Sequence, residues 1–150
     1  MALTEVKTGH VGLNVTDIER SVDFYALALE FEVMGRGTEE GREFAFLGRD
    51  GELVLTLWRQ ASEPFQGDVS GLHHLSFQVE TVEEVRGVEA RLRASDVRFA
   101  YDGVVPHGEG ASSGGVFFHD PDGIRLEVYA PTGAEGTKAP VASAPTCGFF

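Results

Sequence analysis

The sequence predicts an α+β fold made of two tandem βαβββ modules, on three observations. Gly9-His10-Val11-Gly12-Leu13-Asn14-Val15 lines up with His73-His74-Leu75-Ser76-Phe77-Gln78-Val79. Leu53-Val54-Leu55-Thr56-Leu57-Trp58, introduced by Asp50-Gly51, matches Ile124-Arg125-Leu126-Glu127-Val128-Tyr129, introduced by Asp122-Gly123, so Thr56 is the counterpart of Glu127. Each repeat also holds one helical stretch headed by a capping signal. An internal repeat fixes the architecture on which every other residue is placed. One longer loop absorbs the difference between the His10–Thr56 and His74–Glu127 separations.

In the first module, Val11, Leu13 and Val15 alternate with His10, Gly12 and Asn14, the period of two of a half-buried strand. Thr16 or Asp17 is the N-cap of the helix that follows, with Glu19 at capping-box distance from Thr16. Ile18, Val22, Tyr25 and Leu29 recur at helical intervals and form the face that packs on a sheet. Strands are then predicted over 31–35, 43–47 and 53–58, separated by Gly35-Arg36-Gly37 and Asp50-Gly51 as turn signals. Between Arg59 and Gly71 the periodicity stops, and Pro64, Gly67 and Gly71 mark a connection.

The second module repeats the order. A strand over 74–79 leads to a capping box formed by Thr81 and Glu84, and Val82, Val85, Val88 and Leu92 make the apolar stripe of its helix. Strands are predicted over 97–101, 116–118 and 124–129. Module 1 thus covers about 7–59 and module 2 about 72–131, within a domain spanning 1–131. Residues 132–145 are mostly Gly, Ala, Pro, Ser and Thr, too little apolar surface to offset the entropy of ordering, so 132–150 is expected to be a flexible tail. Its tip, Cys147-Gly148-Phe149-Phe150, is apolar; the sharper expectation is that the two phenylalanines dock over a pocket mouth or a neighbouring subunit.

The length of 150 residues suits a core that needs no disulfide, and the single cysteine excludes an intramolecular bridge. A net charge of −12, with Lys and Arg scattered, repels phosphate backbones and anionic lipid, so neither nucleic acid nor membrane is expected as a partner. Met1 to Lys7 lack the basic-then-apolar pattern of a secretory signal, and the expected location is the cytoplasm.

Sorting each strand by alternation gives two faces. Val11/Leu13/Val15, Leu53/Leu55/Leu57, Leu75/Phe77/Val79 and Ile124/Leu126/Val128 face the helices. The opposite sets are His10, Gly12, Asn14; Val54, Thr56, Trp58; His74, Ser76, Gln78; and Arg125, Glu127, Tyr129. A polar sheet face is ordinarily just solvated. Here two histidines and one glutamate fall at corresponding places in duplicated units, and two neutral imidazoles with a carboxylate form a ligand set that leaves open positions on a divalent first-row metal.

These residues resemble the vicinal oxygen chelate superfamily, which includes glyoxalase I, extradiol dioxygenases, methylmalonyl-CoA epimerase, fosfomycin-resistance enzymes and bleomycin-binding proteins. The resemblance covers residues 7 to 131. It rests on His10-Val11-Gly12-Leu13-Asn14-Val15, Ser21-Val22-Asp23-Phe24-Tyr25, His73-His74-Leu75-Ser76-Phe77 and, most specifically, Phe118-His119-Asp120-Pro121-Asp122-Gly123-Ile124-Arg125-Leu126-Glu127. It implies two modules whose curved mixed sheets make a metal-binding cleft, a homodimer, and His10, His74 and Glu127 as ligands, with Thr56 at a fourth position. Glyoxalase I and the epimerases place Glu or Gln there. Thr56 is a poor ligand and no general base, so the chain looks more like an extradiol dioxygenase, whose three protein ligands leave room for a catecholate and oxygen. Against the extradiol signature, His107 lies slightly far upstream and Phe117 stands where a Tyr would hydrogen-bond the substrate. Fosfomycin transferases carry a Thr where this chain has Gly12.

Around that centre, His107, in a loop with several glycines, is the candidate acid or base. His73 is expected on the opposite face of its strand from His74, as a structural group, and His119 in a solvent-exposed turn. Asn14, Thr56, Trp58, Ser76, Gln78, Arg125 and Tyr129 are the candidate substrate-binding residues, and Phe44 and Phe46 either line the pocket or pack the core. The expected cofactor is a divalent metal ion, Fe2+ first, with Mn2+, Ni2+, Co2+ or Zn2+ accepted by the same ligands. The expected partner is a small-molecule substrate, aromatic if the dioxygenase reading holds. The expected activity is ring-cleaving dioxygenation, with glyoxalase-like lyase or isomerase chemistry next and a metal-free drug-binding protein as the rival class.

Overall fold

The computed structural model describes residues 1–150, which divide into two compact units, Met1–Pro64 and Phe65–Phe150. The first holds β1 (Val11–Asn14), α1 (Ile18–Leu29), β2 (Glu32–Gly37), β3 (Phe44–Arg49) and β4 (Glu52–Trp58). The second holds β5 (Leu75–Gln78), α2 (Val82–Arg93), β6 (Val105–Pro106), β7 (Gly114–His119), β8 (Arg125–Ala130) and a short 3-10 helix, Thr146–Gly148. The predicted βαβββ order is present twice. No helix is long and apolar enough to cross a membrane.

The sheets are ordered β1-β4-β3-β2 and β5-β8-β7-β6, and in each the first strand runs parallel to the last while the remaining pairs are antiparallel. The parallel pairing of first to last strand is what each helical crossover permits. The register carries the repeat through: Gly12 stands opposite Thr56, and Ser76 opposite Glu127. His10 and His74 each precede by two residues the partner of the matched position, immediately before their strands rather than within them.

In unit 1 the core is Leu13, Val15, Leu47, Leu55 and Leu57 against Ile18, Val22, Tyr25, Ala28 and Leu29 of α1, all buried. In unit 2 it is Val116, Phe118, Leu126 and Val128 against Val82, Val85, Val88 and Leu92 of α2. Each Val, Leu, Ile or Phe among them contributes about 1.5–3 kcal/mol of burial free energy, which is why these short helices hold without strong intrinsic propensity.

The predicted capping box of α2 forms: Thr81 Oγ1 accepts from the Glu84 amide and the Glu84 carboxylate accepts from the Thr81 amide. That of α1 does not. Asp17 is the N-cap, accepting from the Arg20 amide at 3.0 Å, because Glu19 pairs instead with Arg36 on β2. Gly35-Arg36-Gly37 is not a turn either; it lies in β2, whose bulge falls between Val33 and Gly35. Gly37 faces the Phe44 ring of β3, and a Cβ there would come within 2.3 Å of it, so the glycine serves a close approach. Asp50-Gly51 does turn the chain between β3 and β4, with φ values of 53° and 79° that suit a two-residue hairpin loop.

Two further expectations are corrected in unit 2. Residues 97–101 form no strand: they meet β7 only at the Phe99–Phe118 bridge, flanked by hydrogen bonds from the Ala100 amide to the Phe117 carbonyl and from the His119 amide to the Arg98 carbonyl. The edge strand is instead the two-residue β6. Residues 132–150 are not a detached tail. Ala134 and Thr146 are buried, the Ala134 amide bonds the Ser112 carbonyl, and the Thr146 amide bonds the His107 carbonyl.

Candidate metal centre

In unit 2, β8 places Glu127 opposite Ser76 of β5, and the chain entering β5 supplies His74. Glu127 is buried, and its Oε1 accepts from Ser76 Oγ at 2.5 Å and lies 3.5 Å from His107 Nε2. Its other oxygen, Oε2, is buried with no hydrogen-bond partner. Such an atom is costly unless a cation or donor completes it. Burial, the largest influence, pushes the Glu127 carboxyl up, but hydrogen bonds from His107 and Ser76 and the nearby imidazoles outweigh it and leave the group below its ordinary value. His74 is held below its ordinary value, by burial first, which favours the neutral, ligating imidazole.

His107 does not swing freely. Its amide bonds the Ser113 carbonyl, its Nδ1 lies 2.8 Å from Ser113 Oγ, and its ring packs edge-on against Phe117 and Tyr129. This fixes Nε2 toward Glu127, where an acid or base would sit. His73 is also not where alternation put it. β5 begins at Leu75, so strand geometry does not govern the pair, and Nδ1 of His73 lies 2.8 Å from Nδ1 of His74. His119 is half-buried, with Nδ1 3.3 Å from the Arg98 carbonyl, and burial lowers its pKa.

Of the other candidate residues in this unit, Tyr129 donates to Gln78 Oε1 at 2.9 Å. Arg125 reaches the carbonyls of His73 and Gly67, at 3.3 and 3.5 Å, and so supports the chain entering β5. In unit 1, His10 is exposed ahead of β1. Asn14 Oδ1 accepts from the Gln60 amide at 2.9 Å, and Thr56 Oγ1, buried, accepts from Trp58 Nε1 at 3.0 Å. Trp58, 38% exposed, packs with Phe44 and Phe46 as an aromatic patch on the same strands.

Sequence reasoning missed Cys147, and offered the docking of Phe149 and Phe150 only beside the expectation of a flexible tail. One ligand atom from each of His74, Glu127 and Cys147 lies within 4.8 Å of the others. Phe150 stacks edge-on to Phe117, His74 and His119. The only sequence signal for either was the apolar character of the last four residues. The donor set fits a divalent cation: a buried carboxylate with an unpaired oxygen, a neutral imidazole and a thiol, all close together.

The fold is that of one family: the family model "Glyoxalase/Bleomycin resistance protein/Dioxygenase superfamily" matches residues 7–128. The chain belongs to that superfamily. Among its relatives, the trivalent organoarsenical cleaving enzyme of Bacillus sp. (strain MD1) is 31% identical over 124 residues, covering 83% of this chain and 73% of that protein. Catechol-2,3-dioxygenase of Bacillus subtilis (strain 168) is 27% identical over 125 residues, covering 81% of this chain; the matched part is only 40% of the dioxygenase's length. Among solved structures, a glyoxylase/bleomycin resistance protein/dioxygenase domain from Frankia sp. EAN1pec is 26% identical, with a TM-score of 0.72 over 85% of this chain and 98% of that one. The fosfomycin resistance protein FosX of Listeria monocytogenes, solved with Mn(II) and sulfate, shares the fold at 20% identity and a TM-score of 0.63, covering 89% of this chain and 98% of that one.

Proposed function

We propose that the protein is a divalent-metal-dependent enzyme in which His10, His74 and Glu127 hold the metal, and that it acts on a small substrate bound through two adjacent oxygens. The observation that carries this reading is the buried Glu127 carboxylate, with one oxygen held by Ser76 and the other without a partner, beside His74. His10 is the second imidazole of the proposed set. A divalent metal so held would supply Lewis acidity to the two substrate oxygens. The chain's own residues do the rest: Ser76 orients Glu127, His107 holds a proton at Nε2 beside the carboxylate, and Trp58 and Tyr129 offer aromatic surface to the substrate.

Extradiol-type ring cleavage with Fe2+ is the first choice, supported by Thr56, which is no strong ligand at the position matching Glu127, and by the likeness to a catechol dioxygenase. Lyase chemistry is the second, favoured by the likeness to an organoarsenical cleaving enzyme that matches over more of its own length. The test is anaerobic metal analysis of the protein beside a His10→Ala/Glu127→Ala double variant, followed by oxygen uptake with catechols. Near-stoichiometric metal that is lost in the double variant supports the centre. Metal without oxygen uptake rejects the dioxygenase in favour of the lyase. No metal under any loading condition rejects the enzyme in favour of a metal-free binding protein.

A further inference from the structure

Cys147 is carried to Glu127 by a segment that is anchored on both sides of it. Before it, Thr146 Oγ1 donates to the Pro106 carbonyl at 2.5 Å and the Thr146 amide donates to the His107 carbonyl at 2.9 Å. Around it, the Tyr101 hydroxyl bridges the carbonyls of Thr146 and Phe149, each at 3.2 Å. Beyond it, the Phe150 ring lies 4.9 Å from that of Phe117 and 5.8 Å from that of His74. The 3-10 helix Thr146–Gly148 therefore holds the thiol at a set position, within 4.8 Å of donor atoms of both His74 and Glu127. A cysteine packed as a small apolar group would need none of this, and would not explain the partnerless Glu127 Oε2 at the same spot.

We infer that Cys147 is a further protein ligand to the metal held by His74 and Glu127, brought in by the 146–148 turn. The inference rests on the metal-centre reading above and concerns which chain atoms complete it. On binding, the thiol gives its proton to solvent and the sulfur donates to the cation, so carboxylate and thiolate together balance a divalent charge. A thiolate shifts preference toward softer ions, zinc and cobalt over manganese or magnesium. It also fills a position that a chelating substrate would use, so substrate would have to displace the turn, with Phe150 lifting from His74.

The probe is Co2+, titrated anaerobically into the full chain without added thiols and read by absorption. Thiolate ligation adds a near-ultraviolet sulfur-to-cobalt charge-transfer band beside the visible d–d bands. The expected result is that band in the native chain and its loss in Cys147→Ser, His74→Ala and Glu127→Gln, with Cys147→Ser still binding cobalt. Because the chain has one cysteine, alkylation reads the same site, and cobalt should slow it at least about tenfold by tying up the nucleophilic sulfur. Cobalt bound with d–d bands alone and no change in alkylation overturns the inference and leaves the His–Glu centre standing. A charge-transfer band that survives in His74→Ala and Glu127→Gln places the thiol at another centre and also overturns it. No cobalt binding at all overturns the metal centre itself.

Discussion

Replacing Thr146 by valine isolates one of the contacts that seat the 146–148 turn. The side chain is 1% exposed and its hydroxyl donates to the Pro106 carbonyl. Valine keeps the branched shape, so no cavity opens; what is lost is one buried hydrogen bond, with the carbonyl left short of its donor. That costs about 1–3 kcal/mol. The amide of residue 146 exchanges with solvent only when its bond to the His107 carbonyl opens, and this opening is local if the turn is a separately anchored element. Amide hydrogen exchange at residue 146 should therefore accelerate about 5- to 150-fold, each tenfold corresponding to about 1.4 kcal/mol. The amides of Val85 and Leu92 in α2 should keep their native rates. An acceleration below twofold at residue 146, or an equal one in α2, would refute the reasoning, the first by showing that the hydroxyl contributes nothing and the second by showing that the turn opens only with the whole unit.

Ser76→Ala removes the hydroxyl that orients Glu127, and metal affinity measured by chelator competition should weaken about 10- to 100-fold, with the fold intact by circular dichroism. Thr81→Ala removes the working capping box of α2 and should lower stability in urea by about 0.5–2 kcal/mol, whereas Thr16→Ala should cost less, because Asp17 caps α1. Acidification should destabilise the metal-free protein through His119. Its folded pKa lies below the ordinary 6.5, so the neutral imidazole's contribution is present in full above that value and is lost as pH falls through the folded pKa. The urea midpoint should fall from about pH 7 to about pH 5.5, and less so in His119→Gln. An unchanged slope in that variant would remove His119 from the account.

Periodicity made most of the fold legible, because alternation along β1, β4, β5 and β8 and the 3.6-residue stripes of both helices report burial directly. Aligning the repeats made Thr56 the counterpart of Glu127, and the structure adds the register, with Gly12 opposite Thr56 and Ser76 opposite Glu127. Misreadings arose where a side chain's partner is remote in sequence. Glu19 has the spacing of a capping residue but binds Arg36, and Gly35-Arg36-Gly37 has the composition of a turn but lies beneath the rings of Phe44 and Phe46. Residues 97–101 alternate like a strand, yet only Phe99 bridges to β7. The contacts of segment 132–150 had the least signal in the sequence. Its order comes from a few long-range backbone bonds to Ser112 and His107 and from one aromatic ring, none of which has a compositional signature. Of the site, the repeat drew attention to His10, His74 and Glu127 and set Ser76 apart as a substrate-binding candidate; the bond from Ser76 to Glu127 and the place of Cys147, outside both copies, come from the structure.

The matched register has a consequence for how the two halves of the chain can change. Where unit 2 has a carboxylate facing Ser76, unit 1 has a threonine facing Gly12, its hydroxyl already taken by the Trp58 indole. The repeat keeps the scaffold twice but the charge once. A carboxylate installed at position 56 would meet the Trp58 indole N–H, whereas an apolar residue at position 127 would strand both His107 and Ser76. One copy is bound by the partners of its carboxylate, and the other carries no such constraint at the matched position.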